Sequence, residues 1–152
     1  MPGILFLAVL LSLPPTSGLA QAADGDQFTF VRVRYRSGGE NYRYRNYMPP
    51  GWQSWTVDYP TAEENLMKGL RNWTALNVAD KAVTLSVLDD EFFRYPFAYM
   101  VEVGFLSLSD DEAKRLGEWL LRGGFLMVDD FHGPFEWQNF AQQMQKVLPE
   151  YA

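Results

Sequence analysis

The stretch Gly123–Gly133, GGFLMVDDFHG, decides the fold of this chain. A glycine pair of the kind that ends a helix precedes Phe125–Asp129, which has the length and composition of a strand. Because the strand is apolar at consecutive positions, we expect both of its faces to be buried in a parallel sheet. Ligands of open parallel sheets bind just beyond the carboxyl ends of the strands. The stretch therefore predicts a functional site at Asp129, Asp130 and His132, the only histidine of the chain.

Further strands are predicted on the amino-terminal side of this stretch. Phe28–Tyr35 alternates apolar residues with Arg32 and Arg34, which predicts a strand with one polar face near its end. Val83–Leu88 and Phe97–Val103 are also rich in β-branched and aromatic residues. With Phe125–Asp129 they bring the expected number of strands to about four.

Helices are predicted between and after these strands. Thr61 and Glu64 have the spacing of a capping box, and so do Ser109 and Glu112. The first helix would bury a stripe made of Ala62, Leu66, Leu70 and Trp73. The second would end at Gly123, and a third would cover Phe135–Leu148.

Strands that alternate with helices indicate an α/β domain with an open, mostly parallel sheet and helices on both faces. Four strands are fewer than the five or six that are typical of a sheet. The sequence therefore predicts either a domain truncated at its carboxyl terminus or an unusually small version of the fold.

The amino terminus has the features of an export signal. The apolar run Ile4–Leu13 is shorter than the roughly 20 residues that span a bilayer, and Ala20-Gln21-Ala22 has the small-x-small pattern of a cleavage site. We therefore expect a signal peptide over residues 1–22, a single mature domain over 23–152, and no stable membrane span after cleavage. The predicted location is the periplasm or the exterior of a bacterial cell. An uncleaved amino-terminal membrane anchor is the alternative.

Charge is distributed unevenly along the chain. The formal net charge is −6, yet residues 28–47 contain five arginines and one glutamate. Arg43 and Arg45 lie there among tyrosines, and such a segment could bind an anionic ligand, a sugar or a partner protein. Nucleic acid is not expected as a partner, because the remainder of the chain is strongly acidic and export is predicted.

Several strings resemble an uncharacterised bacterial family, domain of unknown function 4159. They are FVRVRY within Phe28–Tyr35, DYP at Asp58–Pro60, YPFAYMVEVGFLSLSDDEAKRL before the second helix ends, and GGFLMVDDFHG. The family is grouped with the class I glutamine-amidotransferase-like superfamily, so the resemblance implies a flavodoxin-like sheet. It implies no activity, because the family is itself uncharacterised. Its members continue beyond the position of Leu148, which favours the hypothesis that this domain is truncated at its carboxyl terminus.

The chain lacks the nucleophile of glutamine amidotransferases, since it contains no cysteine and no G-x-S-x-G elbow in its place. The remaining candidates are carboxylates and one imidazole. Asp129 and His132 are the candidate catalytic pair, and no metal or cofactor is assigned. The candidate ligand-binding residues are Asp130, Asp58, Tyr59, Asp90, Arg43 and Arg45. Asp58 also has a structural interpretation as a turn residue before Pro60, and Asp90 as part of a solvated acidic turn.

Three functions follow from these candidates. The leading hypothesis is a ligand-binding module of the bacterial cell envelope, with its site at the carboxyl edge of the sheet. The second is a hydrolase of carbohydrate or another small polar substrate, with or without a metal ion. In it, Asp129 and His132 exchange protons with the substrate as an acid–base pair. The third is a protein-interaction domain that docks through the segment containing Arg43 and Arg45.

Overall fold

The computed structural model describes residues 27–38 and 52–151. Within these ranges the strands are β1 (Val31–Val33), β2 (Arg36–Ser37), β3 (Val83–Leu85), β4 (Phe97–Val101), β5 (Leu106–Ser107) and β6 (Phe125–Asp129). The α-helices are α1 (Thr61–Trp73), α2 (Asp110–Leu121) and α3 (Gly133–Val147). None of the helices in the described ranges has both the length and the apolar composition needed to cross a membrane.

The main sheet has four parallel strands in the order β3-β1-β4-β6. When only the strands of this sheet are numbered in chain order, the spatial order is second, first, third and fourth. This is the arrangement of a flavodoxin-like open sheet. The predicted α/β class, the parallel sheet and the number of its strands are therefore confirmed.

Helices cover the two faces of this sheet unequally. On one face, α2 and α3 pack over Val31, Val33, Ala98 and Met100 through a core that includes Leu116, Trp119 and Val147. On the other face, α1 packs through Met67 over Phe30, Tyr99 and Val101. Each large side chain buried in this way contributes about 1.5–3 kcal/mol to folding.

The prediction that one face of β1 is polar and open to solvent is wrong at Arg32. This side chain is fully buried, because α1 lies over that face of the sheet and supplies Glu63 as its ion-pair partner. Arg34, in contrast, is exposed and makes a long ion pair with Asp89 at 3.4 Å. Alternation identified which face Arg32 is on but not what covers that face.

The two predicted capping boxes differ in outcome. Ser109 and Glu112 form the complete reciprocal box at the start of α2, as predicted. At α1 the prediction is wrong, because Pro60 occupies the cap position and no side chain caps the helix. The predicted buried stripe of α1 is also wrong at its end, since Trp73 is exposed while Glu63 and Met67 are buried.

Strand β6 is an edge strand and is not buried on both faces as expected. Leu126 and Val128 pack partly into the core beneath α2 and α3, whereas Phe125 and Met127 are exposed on the opposite face. The reason is its position at the end of the sheet, beyond the area that α1 covers.

The short strands β2 and β5 form an antiparallel pair that the sequence analysis did not predict. They join the chain leaving β1 to the chain leaving β4. Ser37 also links this pair to the segment before α1, since its hydroxyl accepts a hydrogen bond from the Ser54 backbone at 2.9 Å. The pair therefore fixes the two loops that leave the centre of the sheet.

Candidate functional site

The candidate site lies where the parallel strands end, a region we call the carboxyl edge. It comprises the residues that come after Val33 at the end of β1, after Val101 at the end of β4 and after Val128 near the end of β6, together with the start of α3. The chain order of the strands reverses between β1 and β4, and open α/β sheets bind ligands in the crevice at such a reversal. The carboxyl edge is therefore the place to test the predicted residues.

Asp129 ends β6 with its carboxylate held by two donors. The Tyr99 hydroxyl donates to Oδ2 at 3.1 Å, and the backbone N–H of Asp130 donates to Oδ1 at 3.0 Å. Burial and then the negative charge of Asp129 raise the pKa of Tyr99 well above its usual range. Tyr99 therefore remains protonated as a donor, and it fixes the orientation of an exposed carboxylate.

Glu102 is a site residue that the sequence analysis missed. It follows β4 in the left-handed conformation, with φ at 56°, and its backbone N–H donates to the Asp129 carbonyl at 3.0 Å. Partial burial raises the pKa of its carboxyl group, and the negative charges of neighbouring carboxylates raise it further: Glu136, Asp130 and Asp58. Its half-buried carboxyl is therefore easier to protonate than an ordinary glutamate.

Glu136 is the second missed residue and belongs to the first turn of α3. Its Oε2 accepts a hydrogen bond from the backbone N–H of His132 at 2.5 Å. A side chain at Gly104 would collide with Glu136, so the glycine lets α3 approach the loop after β4. An acidic residue in the first turn of a predicted helix, and a lone glutamate at the end of an apolar strand, were the available sequence signals.

His132 is at the cap position of α3 and is exposed. Its positive form lowers the pKa of Glu102, which places the imidazole within electrostatic reach of that carboxyl. Its side chain makes no hydrogen bond or ion pair with Asp129, although both residues belong to the described part of the chain. The structure therefore brings the predicted catalytic pair to one edge without joining the two side chains.

Asp58, Asp130 and Glu102 share an uncommon backbone conformation. Each has a positive φ of 50–56°, although none of them is glycine. Such conformations cost free energy, and they are concentrated at functional sites and at tight turns. The interpretation of Asp58 as a turn residue agrees with its carbonyl, which accepts a hydrogen bond from Ala62 at 2.9 Å.

Tyr59 connects the edge to a buried cation. The Arg32 guanidinium lies 5.7 Å from the centre of the Tyr59 ring and 5.1 Å from the centre of the Tyr99 ring. Arg32 also pairs with the Glu63 carboxylate through two nitrogens, and it donates to the carbonyls of Trp55 and Val57 at 2.8 and 3.0 Å. It therefore fastens the segment that contains Asp58 and Tyr59 to the sheet beside Tyr99.

Asp90 is not brought to this cluster. It is exposed and makes a long ion pair with Arg115 of α2 at 3.4 Å. It follows β3, which is three strand positions from β6, so roughly 14 Å of sheet separate the two strands. Arg43 and Arg45 lie outside the described residues. Within the described ranges, no group of three or more acidic, histidine or cysteine side chains is arranged to hold a metal ion.

A cavity of about 310 Å³ lies next to the cluster, between α1 and the residues that lead into β3. Tyr59 and Pro60 line one side, and Met67 and Ala82 also contribute to its wall. The volume is at the lower limit for small-molecule pockets. The Tyr59 side chain therefore borders both this cavity and the carboxyl edge.

The model of the family described as "Domain of unknown function (DUF4159)" matches residues 29–152, which is most of the chain. The chain belongs to this family. The match includes all of the carboxyl-edge residues described above, so the cluster lies within the family's own domain. A search of curated proteins found no match to this DUF4159 chain.

Proposed function

We propose that this DUF4159 domain is a ligand-binding module of the bacterial cell envelope, with its site at the carboxyl edge of the sheet. The observation that carries the proposal is the set of carboxylates around Glu102. Asp58, Asp130 and Glu136 all act on its pKa, and Asp129 is oriented beside them by Tyr99. Structural ion pairing does not explain this set of residues, because the set brings together side chains of like charge.

The ligand we infer carries ammonium or hydroxyl donors. Carboxylates accept hydrogen bonds and attract positive charge, and His132 is the single basic side chain among the groups that act on Glu102. Exposed aromatic side chains border the same edge at Tyr59 and Trp137, and such rings can pack against the ligand. Amines and amino sugars combine these properties.

Export and superfamily membership are part of the proposal. The support for export is the apolar run Ile4–Leu13 followed by Ala20–Ala22. The support for the class I glutamine-amidotransferase-like superfamily is the strand order of the sheet, together with the sequence resemblance. The fold alone does not assign chemistry, because the same sheet serves many functions.

The proposal is tested by thermal unfolding in the presence of spermidine, glucosamine, glucose or phosphate. We expect at least one of the two amines to raise the melting temperature, and phosphate to leave it unchanged. Glu102→Gln and Asp129→Asn should each weaken amine binding at least tenfold, which corresponds to about 1.4 kcal/mol.

Glu118→Gln is the matched control, because Glu118 is an exposed glutamate in the last turn of α2, far from the cluster. It should leave amine binding unchanged. Failure of both amines to stabilise the protein, or an equal loss of binding in the control, would contradict the proposal.

A hydrolase is the second candidate function, and one observation favours it. The raised pKa of Glu102, beside the exposed carboxylate of Asp129, is the division of roles that an acid and a base require. In this version Glu102 donates the proton, Asp129 acts as the base, and His132 assists. Turnover of a glycoside panel that is lost in both Glu102→Gln and Asp129→Asn would favour it over simple binding.

A further inference from the structure

The opposite end of the sheet, which we call the amino edge, combines exposed apolar side chains with basic ones. Parallel strands all begin at this edge, and each helix that follows a strand ends there. The backbone N–H of Phe28 donates to the Asn77 carbonyl at 2.7 Å, which places the residues after α1 beside the start of β1. The ends of α2 and α3 lie at the same edge, because both helices run back from the carboxyl ends of their strands.

Large apolar and aromatic side chains are exposed at these helix ends. Trp73 is 86% exposed, Leu76 54%, Leu121 65% and Tyr151 74%. Isolated exposed apolar residues are ordinary on protein surfaces, and Tyr59 and Trp137 are exposed at the carboxyl edge, but the three most exposed large apolar or aromatic side chains of the described residues all lie at the amino edge. Tryptophan and tyrosine are the side chains that concentrate at the boundary between lipid and water.

Among the described residues, the same edge carries five basic and three acidic side chains. Its basic residues are Arg71, Lys81, Arg94, Arg122 and Lys146, and its acidic residues are Asp80, Glu118 and Glu150. Basic residues near helix carboxyl ends also offset the helix dipole. That effect does not account for the exposed tryptophan, leucines and tyrosine, so a second explanation is required.

The chain outside the described residues reaches the domain at this edge. Gln27 is the first described residue and precedes Phe28, whose neighbours are Asn77 and Ala79. The apolar run Ile4–Leu13 is joined to it by residues 14–26, which span at most about 45 Å when fully extended. Where this run stays uncleaved as a membrane anchor, the alternative given in the sequence analysis, the linker limits the distance between the amino edge and the lipid.

We propose that the amino edge is a membrane-contact surface that rests on an anionic lipid bilayer. Trp73, Leu121 and Tyr151 enter the headgroup region, and the basic side chains attract the anionic headgroups. The parallel fold then directs the carboxyl edge away from the lipid, where its carboxylates avoid the negative surface. This orientation goes beyond the proposed function and does not depend on it.

Spin labelling of the full chain tests this proposal. The chain contains no cysteine, so single cysteines can be introduced and labelled without background. Ala75→Cys places a nitroxide between Trp73 and Leu76, and Asp111→Cys places the matched control in the first turn of α2, near the carboxyl edge. The probe is a vesicle of equal parts phosphatidylcholine and phosphatidylglycerol.

With vesicles, we expect the nitroxide at position 75 to become accessible to oxygen and protected from a water-soluble nickel complex. The nitroxide at position 111 should remain aqueous. Adding Trp73→Ser and Leu121→Ser to the Ala75→Cys chain should return its label to water, while circular dichroism shows an unchanged fold.

Three results would overturn the proposal. They are a chain that does not bind these vesicles, equal aqueous exposure of the two labels, and a label at position 75 that stays in lipid after the two serine substitutions. The last result would show that Ile4–Leu13 alone holds the chain on the membrane.

Discussion

Two groups of charged residues lie next to each other in this domain and differ in how their charges are compensated. The Arg32–Glu63 pair is buried beneath α1, with its guanidinium bonded to a carboxylate and two carbonyls and stacked by two tyrosines. The cluster around Glu102 is half-open and gathers carboxylates that repel one another. The first arrangement organises the structure, whereas the second leaves hydrogen-bond acceptors for a ligand.

Removing one partner of the buried pair should have the largest effect on stability. Arg32→Met leaves the Glu63 carboxylate buried without its cation, and such a loss costs about 3–5 kcal/mol. Urea unfolding of the purified variant measures the change. The double variant Arg32→Met with Glu63→Leu should recover much of the loss, because neither charge then remains buried. A single variant as stable as the wild type would mean that the pair does not organise this region.

Replacing a tyrosine by phenylalanine compares a hydroxyl that binds a carboxylate of the cluster with one that binds the backbone. Tyr99→Phe removes the donor to Asp129 and should cost about 1.5 kcal/mol, the lower end for a bond to a charged group, since Asp129 is exposed. Tyr35→Phe is the control, because its hydroxyl donates to the carbonyls of Val101 and Glu102 at 2.6 and 2.8 Å.

Both tyrosine variants should lose stability in urea. Only Tyr99→Phe should also weaken amine binding, measured at a temperature where both variants are folded. Equal effects of the two substitutions on binding would remove the distinction between the structural and the ligand-facing hydroxyl.

The smallest effect is the pH dependence that Glu102 introduces. Its pKa is raised in the folded protein, so its contribution is fully present below its unfolded pKa of about 4.3 and is lost as the pH rises through the folded value. Glu102→Gln removes this loss. The melting temperature of the variant relative to the wild type should therefore be higher at pH 7 than at pH 4.

Glu118→Gln again provides the control, and the change that it shows between these pH values is the baseline against which Glu102→Gln is compared. The same difference at pH 4 and pH 7 for Glu102→Gln would mean that neither burial nor the neighbouring negative charges destabilise the ionised form of Glu102.

The sequence predicted most elements because their signals are local. The capping box at Ser109 and Glu112 is complete within four residues, and Gly123 ends the same helical segment with φ at 96°. The box predicted at Thr61 failed because a preceding proline took the cap position, which the spacing alone did not indicate.

The candidate site was predicted in part. Asp129, Asp130 and His132 were proposed from their position after a strand, and the structure places Asp58, which was also a sequence candidate, at the same edge. Glu102 and Glu136 were missed because their importance depends on a contact between two segments, at Gly104, that are more than 30 residues apart. Asp90 was included because it also follows a strand, although that strand is at the far side of the sheet.

By itself the sequence determined the α/β class, the parallel sheet and the edge at which to search, because periodicity, capping and strand ends are properties of neighbouring residues. The tertiary structure alone decided which strand became the edge, that Arg32 is buried, and which carboxylates meet. Those outcomes depend on the strand order and on the position of α1 over the sheet. They arise from contacts between distant parts of the chain, such as Arg32 with Glu63, and a local pattern contains no information about them.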